Sequence, residues 1–203
     1  MRLVVFGGSF DPPHYGHLLL AECCREQCQL DQVWFVPAAV PPHKTGTAMT
    51  PGPVRVEMLL RAIAAHPAFA VSRHEVDRGG VNYTVDTLAH FRQQSPGAEL
   101  FFLMGADMLL DLPGWREAER VCRLAVPVVV GRGGLGTLAF DCLERIATPE
   151  RIEEIRRHQV EMPEIGISST DLRRRVARQR SIRYQTPAAV ETFISEQGLY
   201  REV

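Results

Sequence analysis

The chain has 203 residues, 45% of them hydrophobic and 23% charged, an ordinary globular composition with enough length for one well-cored domain. A formal net charge of −1 gives no field that would gather nucleic acid or an anionic membrane surface, so any chemistry on anions has to come from local patches. The apolar run in "MRLVVFGGSF" is too short for a signal peptide, no stretch approaches a membrane span, and three of the five cysteines crowd one helical pattern, so a cytoplasmic chain without a disulfide framework is expected.

In chain order, "LVVF" (3–6) reads as a buried strand, and "GGSFDPPHYGH" follows it. The glycines allow a tight turn, Asp11-Pro12-Pro13 is a helix-start signature, and a helix is expected over 14–28. His14 and His17 then stand three apart in its first turn, on one face, at the positive end of the helix dipole. Such a helix start behind glycines favours anions; two imidazoles add hydrogen bonds to phosphate oxygens, and Gly16 lets a ligand come close. A plain turn with packed histidines competes with this reading. So does zinc bound by His14, His17 and His43, although no carboxylate base accompanies them at the usual helical spacing.

The second strand, "VWFV" (33–36), leads into "PAAVPPHKTG", which contains Lys44, the only lysine of the chain. An ammonium on a flexible stem, beside His43 and stiffened by Pro41 and Pro42, suits a mobile phosphate; a solvated loop lysine is the alternative. A helix over about 53–65 and a strand "FAVS" (69–72) precede a helix over 84–94, where Tyr83 and Thr84 can offer a carboxylate two backbone N–H groups. "LFFLM" (100–104) is followed by Gly105 and Asp107, the latter either a nucleotide ligand or the cap of the next helix. Trp115 opens a helical pattern over 115–122 and offers a flat apolar face to an aromatic ring, unless it is simply a core residue.

"AVPVVV" (125–130) runs into "GRGGLG" (131–136), with Arg132 turned toward a ligand. The string fits Gly-x-Gly-x-x-Gly, which raises a hydride-transfer enzyme, but Glu153 and Glu154 fall in a charged helical pattern and little parallel sheet remains downstream. Beyond residue 145 the pattern is helical in "PERIEEIRRHQ", "SSTDLRRRVARQ" and "TPAAVETFISEQGLY", with a short strand within 159–166. Ser168, Ser169 and Thr170 supply capping oxygens at a helix start, Arg173 returns to that side one turn on, and Arg174 and Arg175 read as solvated. Strands alternating with helices imply an α/β domain: a doubly wound, mostly parallel sheet with helices on both faces, a helical C-terminal segment, and ligands at the carboxyl ends of the strands.

"GGSFDPPHYGH" and "ISSTDLR" resemble, in the expected order, two signatures of the nucleotidyltransferases that carry His-x-Gly-His on a Rossmann-like fold; Leu172 replaces an isoleucine common there. With "VPAAVPPHK", "GGVNYTVDTLAHF", "FFLMGADMLLDLPGWREAE" and "VVVGRGG", the chain resembles bacterial nicotinate-nucleotide adenylyltransferases from about Leu3 to Tyr200. The resemblance implies a single nucleotidyltransferase domain over 1–203 that moves the adenylyl group of ATP to nicotinate mononucleotide, giving deamido-NAD and pyrophosphate for NAD biosynthesis. It makes His14, His17 and Arg173 catalytic, and assigns ATP to Gly8, Ser9, Phe10, His14, His17, Gly105, Asp107, Ser168, Ser169 and Arg173. Nicotinate mononucleotide falls to Lys44, Tyr83, Thr84, Asp107, Trp115 and Arg132, with Asn82 standing where the family usually has serine. Magnesium is expected mainly on ATP phosphates, with no metal site of the protein's own.

The implied partners are the two substrates, not nucleic acid or membrane, and homo-oligomerisation is left open. Three alternatives remain: a phosphopantetheine adenylyltransferase, which shares the first loop but not the length or the Trp115 region; an enzyme preferring the amide nucleotide; and a regulator that kept the pocket without turnover.

Overall fold

The computed structural model describes residues 1–40, 49–132 and 139–201, the side chain of Arg132 excepted. Lys44, His43 and most of "GRGGLG" therefore lie outside the described residues. Six strands, β1 (Arg2–Gly8), β2 (Gln32–Pro37), β3 (Phe69–Val71), β4 (Glu99–Gly105), β5 (Val126–Arg132) and β6 (Gln159–Met162), form one sheet in the order β3-β2-β1-β4-β5-β6. Every pairing is parallel. Leu3, Val4, Val5 and Phe6 are consecutive and all buried, as are Leu100 to Met104, because helices cover both faces and no alternation is required.

The helices are α1 (Tyr15–Gln27), α2 (Gly52–Ile63), α3 (His74–Arg78), α4 (Thr84–Gln94), α5 (Ala118–Leu124), α6 (Pro149–Arg157), α7 (Ser169–Ala177) and α8 (Ala188–Glu196). A second, smaller core of Met58, Leu172, Ile182, Val190, Phe193 and Ile194 packs α7 and α8 against α2, which brings the C-terminal segment back to the sheet. Strand order reverses between the adjacent β1 and β4, and the crevice at such a reversal is where open α/β sheets take ligands.

The doubly wound sheet agrees with the sequence reading, and the short strand within 159–166 is β6. The helix expected over 115–122 begins only at Ala118: Glu117 takes the left-handed conformation (φ 52, ψ 44), so Trp115 lies outside it, just after a 3-10 turn over Leu112–Gly114. The five-residue α3 and the 3-10 turns Ala106–Met108 and Phe140–Arg145 are too short to leave a period in the sequence. All five cysteines are free thiols, and burial pushes the Cys122 thiol up to about 11, which keeps it protonated at neutral pH. Among the described residues no helix is long and apolar enough to cross a membrane.

Candidate active site

The turn after β1 is built around a buried phenylalanine. Phe10 adopts φ 48, is 1% exposed and meets Phe6 at 5.2 Å, Phe35 at 5.6 Å and the His17 ring edge-on at 5.0 Å between centroids. A Cβ on Gly8 would stand 2.8 Å from Phe10 Cζ, so glycine is required there for the ring to fold under the loop. The Phe10 side chain is a wedge of the core that props His17, so a contact of this residue with ATP would come from its backbone.

His14 is the N-cap of α1, not a residue of its first turn, and His17 is the third helical residue. The His14 backbone N–H donates to His17 Nδ1 at 3.2 Å, so the neutral His17 ring carries its proton on Nε2 and presents that nitrogen as a donor. The two rings stack face to face with centroids 3.7 Å apart and planes 23° from parallel. A Cβ on Gly16 would come within 3.0 Å of His14 Nδ1, so this glycine makes room for the histidine ring.

Three successive carbonyls of the loop are each held by a side chain from the C-terminal segment. Arg173 Nη1 donates to Asp11 O at 2.7 Å, Ser169 Oγ to Pro12 O at 2.9 Å, and Thr186 Oγ1 to Pro13 O at 2.7 Å. The prolines have no N–H of their own, and a loop buried this deeply needs its carbonyls paired. Of the three hydroxyls expected to cap α7, only Ser168 does, accepting from Asp171 N at 3.1 Å; Thr170 Oγ1 accepts a long contact from Arg173 Nη2 at 3.4 Å. Arg175 is not simply solvated, since its Nε holds Ser181 O at 2.8 Å, whereas Arg174 is exposed.

The Asp11 carboxylate, 3% exposed, accepts from Tyr200 Oη at 2.6 Å on one oxygen and from Thr50 N at 3.1 Å on the other. Burial, and then the adjacent Asp11 charge, hold the Tyr200 phenol well above its ordinary range. Removing that hydroxyl in Tyr200→Phe leaves a buried carboxylate oxygen without its donor. Urea unfolding is expected to show a loss of about 1–3 kcal/mol; an unchanged midpoint would mean the pair contributes nothing.

Sequence reasoning missed Arg55. Its side chain is 1% exposed, and its guanidinium donates to Thr50 O at 2.8 Å, Ser9 O at 2.8 Å and Ala38 O at 2.7 Å. One residue of α2 thus ties the first loop to the end of β2 and to Thr50, two residues before α2. The available signal was an arginine on the apolar face of a helix, four residues before the buried Leu59 and three before Met58.

Across the reversal point, β4 ends at Gly105 and Asp107 is exposed within the following 3-10 turn, where it does not cap a helix. A Cβ on Gly105 would collide with the Asp107 carboxylate, so the glycine lets the acid lie over the end of the strand. Tyr83 is the N-cap of α4 and Thr84 its first residue, and among the described residues no side chain caps that helix. Asn82 is buried and its Nδ2 donates to the carbonyls of Gly79 and Gly80, both at 3.2 Å, closing a turn in which both glycines have left-handed φ.

Trp115 is half-buried with its ring 6.2 Å from that of Phe102. The next residue, Arg116, places its guanidinium carbon 4.7 Å from the Tyr83 ring centroid, which joins the Trp115 segment to the start of α4. Arg132 is the last residue of β5. The first loop, His14, His17, Ser169 and Arg173 are thus one connected group, while Tyr83, Thr84, Trp115 and Arg116 form a second. Among the described residues, no group of three or more His, Cys, Asp or Glu could hold a metal ion.

A family model for cytidylyltransferase-like proteins matches residues 5–175. The chain is 47% identical over 201 residues to a protein of Thermus thermophilus named "Probable nicotinate-nucleotide adenylyltransferase", covering 99% of this chain and all of that one. A protein of the same name from Thermomicrobium roseum is 45% identical over 203 residues, covering 100% of this chain and 92% of the other. Among solved structures, the nicotinic acid mononucleotide adenylyltransferase of Plasmodium falciparum complexed with NaAD superposes with a TM-score of 0.73 at 18% identity, covering 98% of this chain and 97% of that one, a likeness of fold.

Proposed function

The chain belongs to the cytidylyltransferase-like family and, within it, to the nicotinate-nucleotide adenylyltransferases, and on that premise we propose that it moves the adenylyl group of ATP to nicotinate mononucleotide in NAD biosynthesis. The observation that carries this reading is the stacked His14 and His17 pair at the start of α1, beside a loop held by Ser169 and Arg173 where strand order reverses.

The mononucleotide phosphate attacks the α-phosphorus of ATP in line, a new P–O bond forms, and the bond from the α-phosphorus to the bridging oxygen of pyrophosphate breaks. The attacking oxygen is already anionic at neutral pH, so no general base is needed, and rate comes from positioning and charge stabilisation. His17 donates from Nε2 to the α-phosphate as charge builds there. His14, Arg173 and the α7 N-terminus at Ser168 and Ser169 hold the triphosphate. The Ser169 hydroxyl donates to Pro12 O, whereas Ser168 Oγ only accepts from Asp171 N, so the Ser168 O–H, the α7 backbone N–H groups and the rest of the Arg173 guanidinium serve the phosphates.

Gly8 and Ser9 form the loop under the nucleotide, Asp107 beside Gly105 takes a ribose hydroxyl, and Trp115 stacks on the pyridine ring whose carboxylate meets the N–H groups at Tyr83 and Thr84. Lys44 and Arg132 are assigned to the phosphate of the mononucleotide. Magnesium would supply charge neutralisation and would be held mainly by phosphate oxygens and water, since the buried Asp11 carboxylate of the first loop has both oxygens hydrogen-bonded within the protein. One domain over 1–203 and a cytoplasmic location belong to the same reading.

The purified chain with ATP, magnesium and nicotinate mononucleotide should yield deamido-NAD and pyrophosphate in equal amounts. A chirally labelled α-thio-ATP should give inversion at phosphorus. Pyrophosphate without dinucleotide would indicate hydrolysis, and retention would indicate an adenylylated residue in place of direct attack.

A further inference from the structure

We infer that Arg116 is a specificity-determining residue that selects the acid over the amide nucleotide by charge. The inference rests on the function proposed above and deepens it. The guanidinium lies over the Tyr83 ring, 4.7 Å from its centroid, and Tyr83 is the N-cap of α4, the helix start assigned to the nicotinate carboxylate. Among the described residues no side chain caps that helix start.

Its charge is little used elsewhere. Among the described residues Arg116 makes no hydrogen bond, and its one acidic neighbour, Glu117, lies 3.9 Å from its Nε. Glu117 is instead engaged by Arg120, at 2.9 Å. The acid in the first turn of α4, Asp86, is paired with Arg78 at 3.1 Å. The contact with Tyr83 therefore holds a cation whose N–H donors make no hydrogen bond among the described residues, adjacent in sequence to the tryptophan assigned to the ring.

Backbone N–H groups alone discriminate weakly, since a carboxamide oxygen can accept from them as well as a carboxylate does. A fixed positive charge adds the missing distinction: it attracts the carboxylate and is nearly indifferent to the amide. The planar guanidinium stacked on tyrosine also keeps that charge oriented at small entropic cost.

The test is kcat/KM for nicotinate mononucleotide and for nicotinamide mononucleotide with the parent, Arg116→Gln and Arg116→Lys. Arg116→Gln should lower the acid-to-amide ratio about five- to tenfold, mainly by raising KM for the acid. Arg116→Lys should recover part of the ratio, and added salt should erode it in the parent more than in Arg116→Gln. An unchanged ratio in Arg116→Gln, or an equal fall for both nucleotides, would overturn the role. A parent that turns over neither mononucleotide would overturn the proposed function itself, a result distinct from either of these.

Discussion

His17→Ala should lower kcat about a hundredfold or more with ATP and nicotinate mononucleotide, the scale seen when one donor to a developing phosphoryl or oxyanion charge is removed. The reasoning follows from the tautomer. Because His17 Nδ1 accepts the His14 backbone N–H, the ring presents Nε2–H outward, and Phe10 packed edge-on at 5.0 Å fixes its plane. A donor held in this way needs no reorganisation as charge builds on the α-phosphate. The same substitution removes an acceptor from the start of α1, a loss of about 1 kcal/mol, or a few degrees in Tm for a chain of this size. Steady-state kinetics with a thermal melt separate the two effects. A kcat within a few-fold of the parent's would remove His17 from the mechanism.

Arg55→Met should be the most damaging substitution for stability among residues remote from the reacting atoms. It leaves the carbonyls of Ser9, Ala38 and Thr50 without their shared donor inside the fold. Breaking a buried, fully hydrogen-bonded charge costs about 3–5 kcal/mol, or a fall in Tm of roughly 10 °C or more. Burial lowers the tendency of Arg55 to hold its proton, and the neighbouring Asp11 charge opposes that, yet a guanidinium remains a cation throughout the working pH range. Arg55→Lys should not rescue, since a single ammonium cannot reach three carbonyls converging from residues 9, 38 and 50. The check is a melt of both variants; a Met variant as stable as the parent would show that the guanidinium does not hold these segments together.

Much of the architecture was legible because short continuous apolar runs such as "LVVF" and "LFFLM", bounded by glycine, proline or polar residues, fit strands covered on both faces, and the segments between them carry a helical period. His14 and His17 were legible for a related reason: a strand, two glycines and a proline-led helix start leave few other places for the chain to go. What the sequence hid is long-range hydrogen bonding. Nothing in "ISSTDLR" says that Ser168 caps its own helix while Ser169 reaches back to Pro12 O, because residues 157 apart in sequence leave no mutual period. That Phe10 takes a positive φ and turns its ring into the core is likewise invisible in the motif. Trp115 was placed on a helix because the pattern over 115–122 fits one; the left-handed Glu117 that delays the helix has no sequence mark, and Arg116 gains its position over Tyr83 only from that irregular stretch. Asn82, a departure from the family's usual serine, is explained by the two left-handed glycines whose carbonyls it ties.

The most direct test of the account is pyrophosphate release by the purified protein with ATP and magnesium, measured in parallel with nicotinate mononucleotide, nicotinamide mononucleotide and phosphopantetheine. The account predicts a rate dominated by nicotinate mononucleotide. A preference for either other acceptor would leave the phosphate chemistry at His14 and His17 standing but contradict the roles given to Tyr83, Thr84 and Trp115, and release with none of them would contradict the proposal that this chain is an adenylyltransferase.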